Sequence, residues 1–152
     1  MENGKAGIKI TMIQADLDRV DEVSEFVLQA SNGSCSASQR FYLRRDGFRN
    51  FAKELKDFPA NIESRAKLEW GGQENPWANY LQLDVFCYEP TGKVAIKARM
   101  ETHFIEPYYD KSEFFIICYP AALNILGEKL SNWDPLEEST FEWHADSQSE
   151  AF

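Results

Sequence analysis

The chain has 152 residues, with 16 basic against 25 acidic side chains and a net charge of −9. A chain of this length fits one domain that buries about 70% of its unfolded surface, so neither disulfides nor a structural metal are required. The acidic balance disfavours nucleic acid, whose binding rests on neutralising phosphates, and favours a basic protein partner. No basic leader with an apolar stretch behind it opens the chain, and no run reaches the ~18 apolar residues of a membrane span. A cytoplasmic protein with no membrane association is therefore expected. Cys35, Cys87 and Cys118 are an odd, widely spaced set without C-x-x-C, which reads as reduced thiols, with Cys87 and Cys118 in the core.

Taken in order, residues 7–14 (GIKITMIQ), 25–30 (EFVLQA) and 40–44 (RFYLR) are strand candidates, with S-N-G-S at 31–34 as turn chemistry before the third. Phe48, Phe51, Leu55 and Phe58 then follow a three, four, three spacing that places them on one face of a helix, closed by Pro59. Arg65–Trp70 is an additional possible strand, and residues 71–79 form a loop carrying Trp77. In residues 80–88, Leu81, Leu83, Val85 and Cys87 alternate with Gln82, Asp84, Phe86 and Tyr88. Apolar groups on both faces suggest a central strand under helices.

Glu89-Pro90-Thr91-Gly92-Lys93 is a hairpin turn with two possible registers. A plain two-residue loop sets Asp84 opposite Lys97, whereas a glycine bulge sets it toward Ala98; opposite charge favours the first and the Pro-Thr-Gly turn the second. Residues 93–104 alternate Val94, Ile96, Ala98 and Met100 with charged groups, and residues 113–119 form another apolar run. Leu123, Leu126, Leu130 and Trp133 repeat the earlier helical spacing 75 residues later, with Pro120 suited to the first turn and Pro135 beyond the end. Gly127 inside this helix costs about 1 kcal/mol against Ala. Close approach of the helix to a sheet is one reason to accept it.

The order predicts an α+β fold: one antiparallel sheet of six to seven strands, two amphipathic helices on one face, and a possible β-β-β-α duplication. Residues 1–133 read as a single domain. Residues 134–152 carry six acidic groups and no Lys or Arg, and read as an acidic tail, partly disordered or docked as an edge strand through Phe141 and Trp143.

G-F-R-N-F-A-K-E-L, then W-G-G, W-A-N-Y-L-Q-L-D and P-T-G-K-V, resemble a family of small bacterial domains similar to the immunity-type proteins of toxin loci, over roughly residues 22–133. The resemblance implies a partner-binding role rather than a known activity. Where that family pattern has Asp-x-x-Gly-His, this chain has Glu89-Pro90-Thr91-Gly92-Lys93, so no site built on that histidine is implied.

Catalytic signatures are sparse: G-x-G-x-x-G, the P-loop, H-E-x-x-H and G-x-S-x-G are all missing. Glu101 and His103 share a strand face, with Glu106 and Asp110 beyond, but such groups at a strand end are ordinary surface, and no metal, cofactor or catalytic residue is assigned. Cys35 sits among small residues, as in a hairpin tip. Arg45, Arg49, Lys53 and Lys56 line one side of the first helix, and residues 40–56 carry a net +4, which reads as either a solvated face or a site for an anionic group. Trp70 and Trp77 are either a lid on the core or a partner patch. The expectation is a non-catalytic protein-binding domain, of the immunity type, with Trp70, Trp77, Glu101, His103, Arg45 and Arg49 as its candidate patch. The alternative is a small-molecule-binding or enzymatic domain using a cleft between sheet and helices.

Overall fold

The computed structural model describes residues 5–15, 22–71, 79–90, 92–102 and 105–146. The elements are β1 (Ala6–Ala15), β2 (Val23–Asn32), β3 (Ser36–Arg44), α1 (Arg49–Lys56), β4 (Arg65–Trp70), β5 (Tyr80–Cys87), β6 (Val94–Thr102), β7 (Asp110–Cys118), α2 (Pro120–Ser131) and β8 (Thr140–His144). The fold is α+β and antiparallel, but its eight strands form two four-stranded sheets, β3-β2-β1-β8 and β4-β5-β6-β7, not one sheet of six or seven. The correction has a physical reason. Alternation with period 2 tells which face of a strand is buried and says nothing about which strand lies beside it.

Each hairpin register follows from its turn. At the β2–β3 tip, Asn32 Oδ1 accepts from the amides of Ser34 (2.9 Å) and Cys35 (2.7 Å), and Gly33 supplies the positive φ of 94°. Between β5 and β6, Tyr88 N donates to Lys93 O and Gly92 N to Glu89 O, so Asp84 faces Lys97 and not Ala98. Even so, Asp84 takes its ion pair from Arg65 on β4 (2.8 Å), while Lys97 turns to Glu113 on β7 (3.4 Å).

The sheets and helices share one continuous core. Phe48, Phe51, Leu55 and Phe58 all bury as their spacing requires, as do Leu123, Leu126 and Leu130. Burial of each large apolar side chain is worth about 1.5–3 kcal/mol, which makes this face the main reason α1 and α2 persist. Phe26, Phe48, Trp133 and Phe141 form a chain of ring contacts at centroid distances of 5.3 to 6.1 Å, tying β2, α1, the end of α2 and β8 together. Cys118 is core as expected, but Cys87 is only half-buried at the rim, its Sγ 3.9 Å from Asn61 O.

The helices pack chiefly on each other. A Cβ on Gly127 would lie 2.7 Å from Ala52 O and 2.8 Å from Lys56 N, so the close approach that demands glycine is to the backbone of α1 and not to a sheet. Asn124 Nδ2 reaches across to donate to Leu55 O (2.9 Å), which also accepts from the Phe58 amide, and to Phe58 O (3.0 Å) just past the end of α1. On the other side of α2, the fully buried Trp143 of β8 donates from Nε1 to Ala122 O (2.9 Å).

The internal structural repeat goes further than three strands. The helical repeat at 75 residues extends to pairing: Arg65↔Phe86 and Leu68↔Leu83 of β4–β5 correspond to Thr140↔Thr11 and Trp143↔Ile8 of β8–β1, with one partner moved forward by 75 and the other back. Each half is thus four strands and a helix, with β8 completing the first sheet from the far end of the chain.

Candidate functional site

Two regions stand out. The first is the outward face of the second sheet, formed by the even residues of β5 and the odd residues of β6 and β7. One end is an ordered lattice of charge. Arg99 contacts Glu101 (3.0 Å), Lys111 lies 3.6 Å from the same carboxylate, and the Tyr80 hydroxyl donates to Glu69. Burial, with the Glu69 carboxylate beside it, raises the Tyr80 pKa well above its ordinary value.

The other end of that face is apolar. Phe86, Ala95 and Ile117 lie side by side across three strands, Phe115 is in the next row, and Tyr88 and Tyr119 flank Lys93 beyond. Phe86 and Phe115 meet edge to face at 6.1 Å, Arg65 stands 5.0 Å over the Phe86 ring, and Lys93 lies 5.7 Å from Tyr119. Phe115, Ile117 and Tyr119 are 44, 53 and 65% exposed. The apolar outer face of β5 therefore meets solvent here, where the two-faced pattern of Leu81 to Tyr88 suggests helical cover. Two strands along, β7 is the edge strand of this sheet, and the β2–β3 turn blunts that edge through Asn32 Nδ2, which donates to Phe115 O (3.3 Å).

The second region is a groove of about 440 Å³ between the turn before α1 and the end of α2. Arg45 and Arg49 stand on one side and Leu130, Trp133 and Asp134 on the other, with Phe48 also lining it. Arg45 Nη1 donates to the buried Ser24 hydroxyl (3.2 Å) and Trp133 Nε1 to Glu138 O (2.7 Å), so both walls are held. Asp46 is occupied by Arg44 (3.1 Å), whose hydrogen bond keeps its carboxyl below the usual range. A second, more open groove of about 470 Å³ lies across Trp133, between α2 and β8, and includes Glu128, Glu138 and Glu142.

No protein-family model matches the chain, and a comparison with curated proteins gives no match. Among solved structures, the plant transcriptional regulator PBF-2 is similar, with a TM-score of 0.50 and 10% identity over 89% of this chain and 78% of that one. At this identity the likeness concerns the fold alone.

The candidate residues read from sequence do not converge. Arg45 and Arg49 share the groove at the helix ends. Trp70 packs inward, 6.2 Å from the Phe41 ring and 6.5 Å from Tyr42, bridging the second sheet to the edge of the first. Glu101 is buried on the opposite, outward face of the second sheet, between Arg99 and Lys111. Trp77 and His103 lie outside the described residues. Among the described residues no group of three or more His, Cys, Asp or Glu side chains is placed to hold a metal. Cys35 is exposed in the β2–β3 turn. Lys56 of the basic row lies 3.8 Å from Glu128 of α2. Sequence reasoning missed the aromatic corner and Trp133. The alternation of Phe115, Ile117 and Tyr119 with the buried Phe114, Ile116 and Cys118 was the signal for the first.

Proposed function

We propose that the chain is a non-catalytic protein-binding domain whose contact surface is the aromatic corner of the second sheet. The carrying observation is the contiguity of Phe86, Phe115, Ile117, Tyr88 and Tyr119 on one solvent-facing surface. Apolar patches of this kind mark interaction sites, and aromatic rings in them give large contact area at low entropic cost. The partner is a basic protein, because a net charge of −9 draws cations toward the molecule and speeds their encounter. The immunity reading, in which that partner is a bacterial toxin, rests on the sequence resemblance.

The test is binding of a purified basic toxin domain from the same locus to wild type and to Ile117→Asp and Tyr119→Ser. A central contact residue is worth about 2 kcal/mol, so each variant weakens binding about thirtyfold with unchanged circular dichroism. The association rate falls as salt rises. Equal affinity for wild type and both variants removes the corner from the function.

A further inference from the structure

The sheets end in four edge strands, β3 and β8 in the first and β4 and β7 in the second. On three of them a side chain donates to an outward-pointing carbonyl: Gln39 Nε2 to Arg40 O on β3 (2.9 Å), Asn32 Nδ2 to Phe115 O on β7 (3.3 Å) and Lys129 Nζ to Glu142 O on β8 (2.8 Å). β4 is the exception. Tyr88 N donates to Lys93 O, so the even residues of β5 turn their backbone to β6 and the odd ones to Ala66, Leu68 and Trp70 of β4. The N–H and C=O groups of Arg65, Lys67 and Glu69 therefore point off the edge, and among the described residues nothing is bonded to them. The internal repeat gives the reason. Lys67 stands 75 positions before Glu142 and Glu54 the same distance before Lys129, and a carboxylate at that place has no proton to donate to the Lys67 carbonyl.

An open edge accepts a further strand unless its side chains repel one. β3 carries Arg40 and Arg44, charges of one sign. β4 instead places Lys67 and Glu69, both exposed, on either side of Leu68. Two antiparallel copies of β4 can exchange hydrogen bonds only between outward-pointing residues, which leaves twofold registers centred on Ala66, Lys67 or Leu68. The first sets Arg65 across from Lys67 and the second sets Lys67 across from itself, both like-charge contacts. The second register also requires Glu69 to meet Arg65, which already holds Asp84 (2.8 Å). The third sets Lys67 against Glu69 of the other copy on both sides of the axis, Leu68 against Leu68 and Ala66 against Trp70, so no like charges meet. Glu69 has capacity for this: its Oε2 accepts from the Tyr80 hydroxyl, and its Oε1 has only an exposed 3.8 Å contact with Lys67 of its own chain.

We infer that the chain forms a twofold dimer through β4, centred on Leu68, in which Lys67 of one copy and Glu69 of the other exchange backbone hydrogen bonds and pair their side chains. The occupant of the edge is a second copy, because the segment is complementary to itself in this register. The two second sheets become one continuous antiparallel sheet, and the twofold axis keeps both outer faces on the same side, so the two aromatic corners share one surface.

The experiment is analytical ultracentrifugation of the full chain, with circular dichroism to check folding. Wild type is expected to pass from monomer to dimer below about 1 mM. Lys67→Glu and Glu69→Lys each weaken the dimer about tenfold or more, because each turns both cross-strand pairs into like charges. An equimolar mixture of the two variants restores it, since both pairs in the mixed dimer are again of opposite sign. Ile117→Asp, on the aromatic corner, dimerises as wild type does. A wild type that stays monomeric at about 1 mM overturns the inference and leaves the edge to a strand of a different protein. A dimer that neither variant weakens, variants that do not associate when mixed, or loss of the dimer in Ile117→Asp overturns it as well.

Discussion

Replacing Gly127 by alanine sets two effects of opposite sign against each other. In an isolated helix the added methyl stabilises by about 1 kcal/mol, because alanine loses less backbone freedom on folding than glycine. At this position, however, the new Cβ falls 2.7 Å from Ala52 O, 2.8 Å from Lys56 N and 2.9 Å from Leu55 Cβ, while ordinary contact begins near 3.4 Å. Two of those three atoms are backbone, so no rotamer change relieves the overlap and α1 must move by several tenths of an ångström. That shift strains the Asn124 bridge and the packing of Leu55 and Leu126, an overpacking cost of about 2–3 kcal/mol. The net expectation for Gly127→Ala is a loss of about 1–2 kcal/mol, or roughly 2–8 °C in midpoint for a chain of this size. Urea denaturation with an unchanged m-value measures it. A variant more stable than wild type would show that the helices are not in the contact described.

Asn124→Ala removes two hydrogen bonds, leaving Leu55 O with only its backbone donors and Phe58 O without the Asn124 amide; it is expected to cost about 2 kcal/mol in the same assay, whereas Arg49→Ala at the matching position changes stability by less than about 0.5 kcal/mol. Burial pushes the Cys118 thiol from 9.0 to about 12. Above pH 9 the unfolded chain has lost a proton that the folded chain still holds, so stability falls as pH rises through this range, and a urea midpoint series shows Cys118→Ala losing that part of the slope. Asn32→Ala frees the Phe115 carbonyl on the β7 edge and dismantles the turn that covers it, and the variant is expected to self-associate with concentration in sedimentation velocity.

Much of the fold was legible because burial writes itself into spacing. The three, four, three rhythm found both helices, and alternation found β1, β2 and β5 to β7 within a few residues. Pairing was not legible, since a strand's own sequence records which side faces the core and leaves its neighbour unspecified. For that reason the second sheet, and the equivalence of β4 with β8, emerged only in three dimensions. The Asp84–Lys97 register illustrates the same point: opposite charge pointed to the correct pairing, yet neither side chain takes the other as its ion-pair partner. Of the candidate patch, Arg45 and Arg49 share one groove because the turn of residues 45–48 brings Arg45 beside the first residue of α1; the helix begins only at Arg49, so the four-residue spacing is not helical there. Trp70 and Glu101 separate because β4 and β6 present them to opposite faces of the second sheet.

The placement of β8 bears on biosynthesis. β1 is an inner strand, yet its second neighbour follows every other described element, so a nascent chain that has made Gly7 must wait until His144 to cover that flank. At typical elongation rates the delay is on the order of ten seconds, during which a row of unpaired backbone groups stands open beside Ile8 and Ile10. A chaperone that shields sheet margins, or a ribosome that speeds through the last codons, would therefore influence yield more for this topology than for one whose strands pair in the order they are made.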